Sequence, residues 1–168
     1  MQNLEKSRKE IVRIVEQIKI TAISKNLIIS TAESCTGGKL AECLTSIRGS
    51  SKFFDSSIIA YSNASKAKLL GVSLDTISTY GAVSENVVEE MSSGLLERTS
   101  TDIAIAVSGI MGPDADDTLK DIGTVWFSIR DQARDQTKMI KLDGNRDSNR
   151  ILSVLFGLNY LSDFINEV

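Results

Sequence analysis

No histidine occurs anywhere in the 168 residues, and that absence removes whole classes of chemistry. Ser-His-Asp and Cys-His catalytic arrangements are excluded, as is every zinc site with a histidine ligand. A proton acceptor must therefore be lysine, a carboxylate, tyrosine or water. Cysteine is nearly as scarce, with Cys35 and Cys43 alone; a turn followed by a helix sets them on different parts of that element, so no disulfide framework is expected. Apolar runs are short and broken by Ser, Thr or charge, and none approaches the roughly 20 residues of a membrane span. A sustained basic patch is also missing: the net charge is −3, and the Lys/Arg clusters at 6–9 and 138–150 are interleaved with acids or apolar residues. No nucleic-acid partner is expected. Residues 1–10 alternate Lys, Arg and Glu without an apolar core, so no secretory signal is expected there, and the location expected is cytoplasmic.

What remains is a chain with 42% hydrophobic residues, enough for one soluble domain over 1–168, since a chain of this size buries roughly 70% of its unfolded surface. Leu4, Ile11, Ile14, Val15, Ile18 and Ala22 recur at helical spacing and predict an amphipathic opening helix. Residues 27–32 have the length and β-branched content of a buried strand, and a turn at 34–38 leads into a helix over 39–46. A second strand is expected at 56–61, followed by a short helix over 64–70 that stops at Gly71. Ser84 is placed to cap a helix running to about 99, with acids in its first turns. Residues 102–108 read as the clearest buried strand, ending in the small-residue loop Ser108-Gly109-Ile110-Met111-Gly112-Pro113. The acidic segment 114–121 reads as irregular; Asp114, Asp116, Asp117 and Asp121 lack the spacing of a calcium loop, so a solvated loop and no metal are expected. Strands at 123–129 and 137–142 predict a hairpin, and Ile151, Val154, Leu155, Leu158, Leu161 and Ile165 a closing amphipathic helix. This order argues for a mixed sheet covered by helices on both faces.

Ligands in such sheets sit at the carboxyl ends of strands. Three polar turns follow predicted strands, at 34–38, 61–66 and 108–113, and they converge if those strands are parallel neighbours. A phosphate loop fails at the first of them, because Glu33 stands where the first glycine belongs and Leu40 where a magnesium-binding hydroxyl is needed. Gly109 and Gly112 lack the third glycine of a dinucleotide fingerprint. Ser34 could serve as a nucleophile beside helix N-terminal N–H groups, or Ser34 or Thr36 could simply cap that helix. In a chain without histidine the candidate activator is a lysine kept neutral by burial, and Lys66, beside the second strand's end, is better placed than Lys39, which lies inside a helix leading away. Lys68 points about 200° around the helix from Lys66. Surface roles for Lys66 and for Tyr61 remain the ordinary alternatives. Cys35 is a second nucleophile candidate, with a small buried side chain as its plainer reading.

The segments Thr31-Ala32-Glu33-Ser34-Cys35-Thr36-Gly37-Gly38, Gly49-Ser50-Ser51, Ala60-Tyr61-Ser62-Asn63 with Lys66, Gly81-Ala82-Val83-Ser84, Ser108 to Pro113 and Gly123-Thr124-Val125-Trp126 resemble, in this order, the CinA C-terminal domain family. That family includes PncC-type nicotinamide-nucleotide amidases, which hydrolyse nicotinamide mononucleotide to nicotinate mononucleotide and ammonia. The resemblance implies a three-layer α/β/α sandwich with a mixed, mostly parallel sheet, a cytoplasmic enzyme of pyridine nucleotide recycling and a serine–lysine mechanism without cofactor or metal. It maps Ser34 as nucleophile, Lys66 as base and Tyr61 as a residue orienting Lys66 or substrate. Glu33, Thr36, Gly37 and Gly38 are then expected at the substrate, and Ser108, Gly109, Gly112 and Arg146 around the nucleotide. A homo-oligomer, a dimer in the first place, is the expected assembly. Three positions depart from the family pattern: segment 114–121 is acidic and has no glycine, Met111 replaces a small residue, and Gly144-Asn145-Arg146 lacks the usual acid. They motivate a second reading, a catalytically impaired nucleotide-binding or regulatory module.

Overall fold

The computed structural model describes residues 2–115 and 120–167, with side chains described from residue 6 onward. The chain opens with helix α1 (Gln2–Ser24), strand β1 (Ile29–Glu33) and helix α2 (Lys39–Thr45). Strand β2 (Phe54–Ile59) then leads to three helices, α3 (Asn63–Leu70), α4 (Leu74–Tyr80) and α5 (Glu85–Arg98). Strands β3 (Ile103–Gly109), β4 (Thr124–Arg130) and β5 (Asp135–Lys141) follow, and α6 (Arg146–Asn166) closes the chain. The five strands form one sheet in the order β2-β1-β3-β4-β5. Strand β1 is parallel to both β2 and β3, while β3–β4 and β4–β5 are antiparallel. Four strands therefore run one way and β4 the other, which is the mixed, mostly parallel sheet expected. No helix among the described residues is long and apolar enough to cross a membrane.

Side-chain size along β3 sets the spacing of the two helical layers. Successive strand residues face opposite sides, and Ile103, Ile105 and Val107 join the core under α1, α2 and α6, whereas Ala104 and Ala106 face α5. Alanines let α5 lie close to the sheet. The same economy of volume recurs at Gly94 of α5, where an added Cβ would stand 1.6 Å from the Leu70 carbonyl oxygen of α3. Helix α3 is thus seated on α5 at a distance that only glycine allows, and α3 carries Lys66.

Several boundaries differ from the sequence reading. The first strand starts at Ile29 rather than residue 27, because the Ile28 N–H is drawn off by the Asp102 carboxylate at 2.7 Å. The second spans Phe54–Ile59 rather than 56–61, with Phe54 already paired to Ile29. Helix α4 went unread: it has seven residues, is capped by Ser73 and buries only Ile77, so it presents no repeating apolar face. Helix α6 begins at Arg146, capped by the Asn145 side chain, earlier than its apolar stripe suggests. Both cysteines are free. Asp116 and Asp117 lie outside the described residues.

Candidate active site

Because β2, β1 and β3 are adjacent and parallel, the turns after them meet at one edge of the sheet. They surround a cavity of about 270 Å³ lined by Ser34 and Cys35 from the first, Tyr61, Asn63 and Lys66 from the second, and Ser108 to Gly112 from the third. Ala82, Val83, Asp114 and Arg146 complete the wall. The convergence expected from the sequence is present.

Ser34 is fixed by the sheet. Its N–H continues the β1–β3 ladder by donating to the Val107 carbonyl at 3.1 Å, and its own carbonyl accepts from Gly37 N–H at 3.1 Å, closing a tight turn. Gly37 and Gly38 both have positive φ, 62° and 90°, a conformation open to glycine at little cost. Neither Ser34 nor Thr36 caps α2; its N-cap is Gly38, which has no side chain to offer. The Ser34 hydroxyl is left for the cavity, with Lys66 Nζ 3.0 Å away.

Lys66 reaches it from the first turn of α3. That helix starts at a reciprocal capping box between Ser62 and Ser65, which fixes the phase of the residue that follows. Lys66 is 2% exposed and points inward, while Lys68 is exposed. The amine donates to the Tyr61 carbonyl at 3.2 Å, and among the described residues no carboxylate pairs with it. Burial therefore holds its pKa below the usual lysine value, with the Cys35 sulfur offsetting part of the effect. A neutral amine has two N–H donors and one lone pair, so it can donate to Tyr61 and accept the Ser34 proton. Cys35 faces the opposite fate: burial pushes its thiol up to about 12, against smaller opposing effects of the Cys35 and Thr36 N–H groups. A thiol so protonated is not a nucleophile at neutral pH.

Other expected site residues sit differently from the expectation. Glu33 is fully buried and lines no part of the cavity; its carboxylate accepts from Thr36 Oγ1 at 2.6 Å and from the N–H groups of Gly38, Leu40 and Ala41 at 3.0, 3.1 and 2.8 Å. Thr36, Gly37 and Gly38 do not line the cavity either: the Thr36 hydroxyl and the Gly38 N–H are taken by Glu33 and the Gly37 N–H by the Ser34 carbonyl, which leaves the Thr36 N–H as the donor of this group not engaged by them. Among the described residues the N–H groups of Cys35 and Thr36 donate to no backbone carbonyl and meet the Cys35 sulfur, a weak acceptor.

The Tyr61 side chain is 61% exposed, and its phenol oxygen accepts from Arg146 Nη2 at 3.2 Å. Tyr61 thus holds Lys66 by its backbone carbonyl while its ring stands on the rim. Arg146 also donates to the Gly112 carbonyl at 2.8 Å, tying α6 to the third turn. Ser108 lines the cavity but donates to the Ala82 carbonyl at 2.8 Å, anchoring the 81–84 segment. Gly109 packs so closely on β4 that an added Cβ would meet Val125 at 2.9 Å. Asn63, Val83 and Asp114 were not expected on the wall. Asn63 and Val83 lie in segments that the motif comparison had singled out without assigning them a role.

A protein-family model described as the CinA C-terminal domain matches residues 12–165. The nicotinamide-nucleotide amidohydrolase PncC of Enterobacter agglomerans is 42% identical over 161 residues, covering 95% of this chain and 98% of that protein. The protein of the same name from Escherichia coli K12 is 39% identical, covering 90% and 93%. Among solved structures, a CinA superfamily protein from Klebsiella pneumoniae 700603 superposes with a TM-score of 0.91 at 30% identity, covering 94% of this chain and 99% of that one. An Escherichia coli member superposes at 0.88 with 34% identity, covering 90% and 88%.

Proposed function

The chain belongs to the CinA C-terminal domain family, and from that premise we propose that it is an amidohydrolase converting nicotinamide mononucleotide to nicotinate mononucleotide and ammonia. The similarity to two proteins named nicotinamide-nucleotide amidohydrolase, over nearly the full length of each, carries the reaction. The mechanism we infer uses Ser34 and Lys66, supported by a buried amine, with no carboxylate partner among the described residues, 3.0 Å from a hydroxyl in a cavity open to substrate.

Ser34 Oγ attacks the carboxamide carbon as neutral Lys66 accepts its proton. The tetrahedral intermediate then collapses: the C–N bond breaks, Lys66 returns the proton to the departing nitrogen, and ammonia leaves an acyl ester on Ser34. Water, deprotonated by Lys66, attacks the ester carbon; the C–Oγ bond breaks and the proton returns to Ser34. Arg146 is the one arginine on the wall among the described residues and is suited to the nucleotide phosphate. No step calls on the thiol of Cys35.

Ammonia release from nicotinamide mononucleotide is the direct test. Wild type should turn over, and Ser34→Ala and Lys66→Ala should each fall by at least about 1,000-fold. Undiminished turnover in either variant removes that residue from the mechanism. A binding module without turnover is the second reading, favoured by the exposed carboxylate of Asp114 on the cavity wall; saturable nucleotide binding with no ammonia would establish it.

A further inference from the structure

The most heavily bonded carboxylate near the nucleophile is one that substrate cannot reach. Glu33 closes β1, and its two side-chain oxygens accept four hydrogen bonds of 2.6 to 3.1 Å from the residues that follow it. Three come from the backbone N–H groups that open α2, and the Lys39 N–H between them is directed to the Thr36 carbonyl at 3.4 Å. Those are the donors that a helix N-terminus leaves without partners. The fourth bond, from Thr36 Oγ1, ties the same carboxylate to the turn itself. Arg150 of α6 braces that turn from the other side, donating to the Thr36 carbonyl at 2.9 Å. With these groups engaged, the turn after Ser34 keeps two donors that meet nothing stronger than the weakly accepting Cys35 sulfur, the N–H groups of Cys35 and Thr36, and Cys35 lines the cavity.

We propose that Glu33 is a positioning residue for the reaction: its carboxylate takes the α2 N–H groups out of substrate binding and locks the turn so that the Cys35 and Thr36 N–H groups hold the oxyanion formed at Ser34. The proposal rests on acylation of Ser34. It also divides the substrate, because an α2 terminus already filled by an internal anion has nothing left for a phosphate, whose place is then at Arg146.

Glu33→Gln tests it, since glutamine keeps the shape but turns an NH2 group toward N–H donors. The variant should fold by circular dichroism, keep KM for nicotinamide mononucleotide within about threefold of wild type, and lose about 100-fold in kcat, the scale of a lost oxyanion donor. Labelling of Ser34 by a fluorophosphonate, whose adduct places an oxygen where the oxyanion forms, should slow in parallel. A kcat and a labelling rate within threefold of wild type overturn the proposal; so does a loss confined to KM, which marks a substrate ligand instead. Should Glu33→Gln fail to fold, Thr36→Val carries the test, with about tenfold lower kcat at unchanged KM expected and unchanged kcat overturning it. If wild type is labelled at Ser34 but releases no ammonia, the substrate assignment fails while the labelling rates still decide the role of Glu33. If wild type does neither, both fall.

Discussion

The floor and the rim of the cavity are built by opposite means. Ser34, Lys66 and Ser108 on the floor are buried, sit at the ends of central strands or inside the first turn of a capped helix, and are held by backbone partners. Tyr61 and Asp114 on the rim are exposed, and Arg146 reaches Tyr61 from the first residue of α6. Burial does two things at once on the floor: it fixes geometry, and by desolvation it lowers the pKa of the Lys66 amine. On the rim neither applies, so charge there can recognise a ligand but does little to tune reactivity. The comparison predicts that floor substitutions change the rate of the chemical step and the stability of the fold, and that rim substitutions change affinity.

Lys66→Met should give the largest effect, and in two directions. Turnover should fall by at least about 1,000-fold, as expected when a residue acting jointly with its nucleophile is lost. Stability should rise at neutral pH, by on the order of 1 kcal/mol, as often happens when a strained functional group is replaced by an apolar one of similar length. The sign follows from linkage. The folded-state pKa lies below the unfolded value of 10.5, so the unfolded chain holds the proton more tightly and protonation opposes folding. Wild-type stability should therefore climb as pH rises from the folded pKa towards 10.5, and the variant should lose that slope. Activity should share the same ascending limb, with a midpoint below the ordinary lysine value. Thermal melts and kcat/KM profiles across pH measure both; a variant no more stable than wild type at pH 7 would contradict the lowered pKa of the amine.

Next in size is Gly94→Ala, a change far from substrate that attacks the floor through its support. Helix propensity favours alanine by about 1 kcal/mol, but the new Cβ meets the Leu70 carbonyl at 1.6 Å, a backbone atom that cannot swing aside. Overpacking should win, with a net loss of about 2–3 kcal/mol. Since α3 must shift to relieve the clash, kcat should fall by tenfold or more with the Lys66 amine displaced. Denaturant titration and steady-state rates check the two parts; a stabilised variant with full activity would mean that α3 is not seated by this contact.

Floor and rim also differ in how legible they are in sequence. The buried strand 102–108, the hairpin and the amphipathic helices follow from periodicity, because burial on one face imprints a repeat. The convergence of three turns follows from strand order in an α/β sheet. Glu33 could not be read correctly in this way. A carboxylate next to a nucleophilic serine looks like a substrate ligand, and only the path of the chain, folding α2 back over the end of β1, turns it into an internal cap. Helix α4 was illegible because one buried residue, Ile77, makes no pattern. The contact of Arg146 with Tyr61 joins residues 85 positions apart, and nothing local encodes it.

Arg146→Ala moves to the rim and should act mainly on KM. Removing a guanidinium suited to a phosphate should raise KM by about tenfold and leave kcat within a few-fold, because a contact made equally in ground and transition states does not alter the chemical step. Lysine at this position should restore only part of the loss, since it cannot bridge Gly112, Tyr61 and ligand with one planar fork. A fall in kcat equal to that in kcat/KM would break the division between floor and rim.

Tyr61→Phe is the smallest perturbation and the sharpest discriminator. The family resemblance implies that Tyr61 orients Lys66 or substrate; it is the backbone carbonyl that meets the amine, while the phenol sits on the exposed rim against Arg146. Deleting the hydroxyl leaves that carbonyl in place. It removes one exposed hydrogen bond worth on the order of 1 kcal/mol or less. Turnover should stay within about threefold of wild type, with any change appearing in KM through a looser Arg146. A loss of 100-fold in kcat would instead mean that the phenol swings inward when substrate binds, and Tyr61 would then belong to the floor.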